Sequence, residues 1–217
     1  MTHTTDPDAA DPIESIDSAA KPAVRKRPKP GERRVQILQT LASMLEQPGA
    51  DRVTTAALAA KLDVSEAALY RHFASKAQMF EALIEFIEQS VFTLINQIHE
   101  RETVAAVQVQ KMLTVLLQFG EKNPGMTRVM VGDALVFENE RLLARMNQFF
   151  ERFESQLRQS LRGMAEGAGS ATPTVDANAQ ASVLTSFAIG RLQRFARSGF
   201  KRSPIEYLDA ALRMLAS

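Results

Sequence analysis

An all-α fold is predicted from three observations. The 217 residues are rich in Ala, Leu, Glu, Gln, Arg and Met, the types that lose least conformational freedom on entering a helix. Apolar residues recur at three- and four-residue spacing in about nine successive segments, and no segment shows the two-residue alternation of a strand. Gly and Pro are few, 10 and 9, and they gather where one segment stops and the next begins. With 45% apolar and 24% charged residues, the chain has ordinary globular proportions and enough material for a real core.

Taken in order, residues 1–30 combine Asp, Pro, Thr, Ser and Ala without an apolar period and are expected to be disordered. Pro28, Pro30 and Gly31 punctuate the entry to the first helix, Glu32 to Glu46. Its face is Val35, Leu38, Leu41, Ala42 and Leu45, and Pro48-Gly49 ends it. A shorter helix follows, N-capped by Thr54 or Thr55, with Ala56, Leu58, Ala59 and Leu62 inside. Asp63 is the turn. Ser65 caps a third helix, with Glu66 placed to suit its dipole, and that helix closes at Phe73. Ser75 starts a long fourth helix, on which Phe80, Leu83, Ile84, Ile87, Val91, Leu94, Ile95 and Ile98 share one stripe.

Residues 103–122 form a fifth helix, apolar on nearly every side around Met112–Phe119 and therefore central. Asn123-Pro124-Gly125 breaks it, and a short segment around Met126–Val131 follows. Leu142, Met146, Phe149, Phe150, Phe153, Leu157 and Leu161 mark a strongly amphipathic helix. Residues 163–173 read as a loop. Two last helices run from about Thr174 to Ser198, with Ala181, Leu184, Phe187, Ala188, Leu192 and Phe195 on one face, and from about Pro204 to Leu215.

Composition also narrows the chemistry. There is no Cys, which removes disulfides, thiolate nucleophiles and sulfur-ligated zinc together. The acidic start (Asp6, Asp8, Asp11, Glu14, Asp17) has no apolar core and is not expected to be a signal peptide. No apolar run approaches the roughly 20 residues of a membrane helix. No nucleophile–base pair, phosphate loop or zinc spacing occurs, so no enzyme is expected, and no cofactor or metal. Net charge is only +1, but its distribution is uneven. Lys21, Arg25, Lys26, Arg27, Lys29, Arg33 and Arg34 follow the acidic stretch, with Glu32 the one acid among them. Such an arm can neutralise phosphates or stand as a solvated tail.

Function concentrates in Val53 to Phe80, VTTAALAAKLDVSEAALYRHFASKAQMF. Two short helices joined by a tight turn let the second lie in a major groove wide enough for it. Small residues Ala56, Ala59 and Ala60 suit the helix crossing, and Val64 can plug the core. Ser65, Glu66, Ala68, Tyr70, Arg71 and His72 are uncommitted and face outward, while Ala67, Leu69 and Phe73 pack. Thr54, Thr55, Tyr70, His72 and Lys76 can donate to phosphates.

This segment, with YRHFASK ending the recognition helix and opening the next, resembles the DNA-binding domain of TetR-family regulators. The chain over roughly residues 32–210 is similar to one family within that class, the nucleoid occlusion factors of Gram-negative bacteria, and residues 1–30 have no counterpart there. The similar segments are ALIEFIEQS, QFGEKNPGMTR, RMNQFFERFESQLRQ and RFARSGFKRSP. The resemblance implies a TetR-like fold: a helix-turn-helix domain over 31–77, then a helical dimerisation and partner-binding domain over 78–217. It implies a homodimer on palindromic double-stranded DNA, joined through about 176–215. On DNA that dimer inhibits assembly of the tubulin-like division GTPase FtsZ, in the cytoplasm at the nucleoid. By position, Phe86, Ser90, Leu94, Lys122 and Asn123 would meet that partner. Leu94 stands where the family pattern has a basic residue, and Gln118 where it has Gly.

Other readings stay open at this point. The chain could be a TetR-like repressor released by a small apolar ligand, although the candidate pocket region is filled by Leu, Met and Phe with few convergent polar groups. It could also be a helical scaffold with its third helix buried. His72 suits a phosphate contact or plain exposure better than a metal, and His99 is expected to be solvated. Glu81, Glu85 and Glu88 read as a wet face, and Phe149, Phe150 and Phe153 as core or interface. Arg191, Arg194 and Arg197 read as a solvated ridge or as interface ion pairs. Phe86 and Phe92 lie at the edges of their stripe, open to either burial or a partner.

Overall fold

The computed structural model describes residues 31–47 and 52–215, and these are helical throughout, without a strand. The acidic and basic arm within 1–30 and the Pro48-Gly49 stop lie outside the described residues. The first three helices, α1 (Glu32–Leu45), α2 (Thr55–Lys61) and α3 (Glu66–Tyr70), form a small unit at the start of α4 (Lys76–Arg101). Then come α5 (Ala105–Lys122), α6 (Pro124–Met130), a 3-10 turn (Asp133–Leu135), α7 (Glu140–Gly167), α8 (Pro173–Arg197) and α9 (Leu208–Leu215).

Side-chain caps set the starts of α2, α3 and α4. Thr54 accepts from the Ala57 amide, Ser65 from Ala68 and Ser75 from Gln78, each satisfying an amide that the helix leaves open. The body is built around α5, which packs against α4, α6, α7 and α8. Its Met112, Leu113, Leu116 and Leu117 are fully buried, as expected of a central helix. The α7 stripe from Leu142 to Leu161 is buried as a whole, and α7 packs most extensively on α8. Phe149 stacks against Phe92 at 5.3 Å and Phe150 at 5.1 Å, so these rings are core.

The small unit is fastened to the body through α6. Gly125 lets α6 approach α1 so closely that a Cβ there would lie 2.0 Å from the Ala42 carbonyl oxygen. Arg128 on the same helix donates to the Leu45 carbonyl at 3.4 Å, at the end of α1 where helical carbonyls lack partners.

Several expectations are corrected. Val35 is 53% exposed, and Ile37 takes its place inside. Leu94 stands at 43% exposure, off the buried stripe of α4. The expected loop over 163–173 starts late, because α7 continues to Gly167. An Arg162–Glu166 pair at 2.9 Å, one turn apart, supports the added turn. His99 is half-buried, and its Nε2 is buried without a partner rather than solvated. Glu81 and Glu88 are not simply wet: they pair with Arg141 at 2.7 Å and Arg145 at 2.6 Å, tying α4 to α7. The Glu88 hydrogen bond raises the pKa of Arg145 above its usual value, against the opposing effect of burial.

Candidate nucleic-acid interface

The turn between α2 and α3 sets the angle of the reading helix. Asp63 adopts φ 55, the left-handed region, and its amide donates to the Ala60 carbonyl at 3.1 Å. The Val64 amide then donates to the Ala59 carbonyl at 3.1 Å, and the Val64 side chain is half-buried against the core. Leu58, Ala59, Leu62, Leu69 and Phe73 close the inner side. Of the three alanines expected at the crossing, only Ala59 is buried; Ala56 and Ala60 are exposed.

On the outer side, Ser65, Glu66, Tyr70 and Arg71 are exposed, as the sequence predicts, and His72 is half-exposed. Ala67 and Ala68 exchange roles: Ala67 is exposed and Ala68 half-buried. A helix this short turns its inner face by where it docks on α2, and a one-residue error in phase moves a side chain by about 100°. The front of α3 is therefore a small-residue surface of Ser65 and Ala67, with Tyr70 and Arg71 behind it. Small residues there permit close approach to base edges.

Some expected phosphate donors already have partners. The Thr55 hydroxyl donates to Glu66 Oε2 at 2.6 Å, so neither group is uncommitted. Thr54 uses its oxygen as the α2 cap, which leaves its hydroxyl proton free to donate. Lys76 is paired with Glu138, from the segment before α7, and lies 5.7 Å from the Phe80 ring centroid. Arg34, read as part of a basic arm, instead donates to the His72 carbonyl and stacks over Phe73 at 4.1 Å. These partners lie 38 and 62 residues away along the chain, beyond the reach of local pattern.

A second surface runs along α4. Phe86 is 48% exposed and Leu94 43%, with Ser90 half-buried between them at one-turn spacing. Leu94, Gln97, Ile98 and Arg101 of α4 face Lys111 and Val115 of α5 across a shallow groove of about 160 Å³. The antiparallel register carries Phe86 toward the far end of α5, where Lys122 is exposed and Asn123 donates to the Phe119 carbonyl at 2.8 Å. Arg101 and Lys111 were not singled out from sequence, since each reads locally as an ordinary surface residue, and Val115 falls in the stretch read as central. Phe92, in contrast, is buried, with Arg152 stacked on it at 3.9 Å.

Among the described residues no group of three or more His, Asp or Glu side chains could hold a metal. No helix among them is long and apolar enough to cross a membrane.

Comparison with known proteins matches residues 37–83 to the family described as bacterial regulatory proteins, tetR family. Residues 101–217 match the family described as tetracyclin repressor-like, C-terminal domain, SlmA-like. The nucleoid occlusion factor SlmA of Salmonella dublin is 51% identical over 188 residues, 85% of this chain and 93% of that protein. Among solved structures, the TetR-family regulator PfmR of Thermus thermophilus superposes with a TM-score of 0.67 at 19% identity, covering 83% of this chain and 96% of PfmR. The regulator FadR of Bacillus subtilis, solved in complex with stearoyl-CoA, gives 0.67 at 13% identity, covering 84% of this chain and 97% of FadR.

Proposed function

The chain belongs to the TetR family, in the branch of the nucleoid occlusion factor SlmA, and we propose that it binds palindromic DNA as a homodimer and restrains division over the chromosome. One observation carries the DNA-binding part. α3 stands as a separate rod, with Leu69 and Phe73 turned in and Ser65, Ala67, Tyr70 and Arg71 turned out. Two such rods, held by the α8 and α9 regions of paired copies, enter successive major grooves about 34 Å apart. Thr54, Ser65, Tyr70, Arg71 and His72 supply contacts to backbone and bases, and Lys76 joins them once its carboxylate partner is displaced. The protein acts at the nucleoid in the cytoplasm and catalyses no reaction.

The partner-facing surface is the α4–α5 groove that Leu94 lines, extended along α4 by the exposed Phe86, and its occupant is FtsZ. DNA occupancy raises the affinity of this surface for FtsZ, because coupling between two sites must be a difference in affinity between states. The test separates the two halves. Phe86→Ala is expected to leave duplex affinity unchanged and to weaken inhibition of FtsZ polymerisation by at least about tenfold, as truncating an anchoring aromatic does. Normal inhibition by the folded variant removes Phe86 from the surface. Wild-type protein that ignores palindromic duplexes at low salt removes the DNA-binding reading itself.

A ligand-released repressor is less well supported. A cavity between the start of α5, the end of α7, α8 and α9 is about 230 Å³, below the roughly 300–1,000 Å³ of pockets for drug-sized ligands. A wider hollow of about 450 Å³ beside α9 is lined largely by the exposed Tyr207, Asp209, Ala210 and Arg213 and does not enclose an apolar ligand.

A further inference from the structure

Lys76 is the first residue of α4, directly behind the reading helix, where a cation meets the DNA backbone. Its ammonium is paired with Glu138, which stands between the 3-10 turn and α7. The pair is sheltered: the Lys76 side chain is 23% exposed and that of Glu138 only 9%. An arriving phosphate therefore finds an anion already seated on this lysine. The ammonium has two further donors, but binding both groups would hold phosphate and carboxylate within a few ångströms of each other, like charge against like.

We propose that Glu138 is an internal stand-in for DNA phosphate, holding Lys76 in the free protein and giving it up when backbone phosphate takes its place. This rests on the reading that α2, α3 and the start of α4 dock on DNA. The exchange has a structural consequence. A nearly buried carboxylate that loses its counter-ion must be rehydrated, so the segment around Glu138 has to open. The opening is local: the adjoining Val136 and Phe137 are 70% and 65% exposed and can swing out with Glu138, while Ala134 and Leu135 before them stay buried in the core. Further along, Arg141–Glu81 and Arg145–Glu88 keep α7 fastened to α4, so the release is confined to this first contact. Glu138 thereby lowers affinity for all duplexes alike, and sites offering good base contacts overcome it most readily.

The experiment is a double-mutant cycle on the full chain, with affinity measured over a salt series for a palindromic site and a scrambled duplex. Glu138→Gln is expected to tighten binding to both duplexes by roughly three- to tenfold, the scale of one charge-assisted contact. Lys76→Gln is expected to weaken both and to lower the salt slope by about one. In the Lys76→Gln background, Glu138→Gln is expected to change affinity less than about twofold. An equal gain in both backgrounds overturns the proposal, because it marks a general loss of negative charge; so does the absence of any gain. If circular dichroism shows Glu138→Gln unfolded, Glu138→Ala, which also removes the charge, takes its place in the same cycle under the same criteria. Failure of wild-type protein to bind any duplex would instead sink the DNA-binding reading.

Discussion

Asp63 holds a left-handed backbone, φ 55, at the one point where α2 must reverse into α3. Asp tolerates this region because its short polar side chain can bond locally, whereas a β-branched residue cannot relieve the clash of Cβ with the carbonyl that follows. Asp63→Val is expected to destabilise the protein by about 1–2 kcal/mol. Chemical denaturation should show it as a lower midpoint with unchanged slope. Neighbouring side chains show where single-residue reading stops. Sequence gives Thr55, Glu66, Arg34 and Lys76 their chemistry but not their partners, and each is already engaged. The outward Ser65, Tyr70 and Arg71 were legible because a short helix with Leu69 and Phe73 inside has few other ways to turn.

Between elements, the closest approach joining the small unit to the body is α6 on α1 at Gly125. No side chain larger than hydrogen fits at Gly125, because the Ala42 carbonyl oxygen would lie 2.0 Å from its Cβ. Gly125→Ala is expected to cost about 1–3 kcal/mol, as overpacking does, and to lower DNA affinity by shifting α1 under the reading helix. A thermal melt and a duplex titration on the same preparation check both effects. The α4–α7 pairs add a different fastening. Arg145 has its pKa raised, so its contribution is fully present below the unfolded value and is lost only as pH rises through the still higher folded one. It therefore introduces no pH dependence near neutrality. Helix starts were legible from Thr54, Ser65 and Ser75, whereas the end of α7 was not. Gly163 reads as a breaker, yet the helix passes through it where nothing crowds its Cβ position.

At the scale of the whole molecule, the proposed function requires two copies. Val183 is 50% exposed on α8, Phe187 one turn on is half-buried, and Gly190 leaves open space beside them. A second α8 can approach closely along such a line. Val183→Arg is expected to give a single chain of 24.0 kDa in light scattering where the parent gives twice that mass. Its affinity for palindromic duplex should fall by at least about tenfold, since linked half-sites bind at high effective concentration. A dimeric variant with parental affinity would place the interface elsewhere.

The sequence by itself determined the helical class, the order of the helices, the reading segment and the family. These depend on periodicity, capping and short motifs, all of which act within a few residues. Tertiary structure decided which polar groups are free. It turned Ala67 out and Ala68 in, seated Lys76 on Glu138, and drew Arg141 and Arg145 onto the acids of α4. Ion pairs and helix phase depend on which surfaces meet across tens of residues, and a one-dimensional pattern holds no record of that meeting.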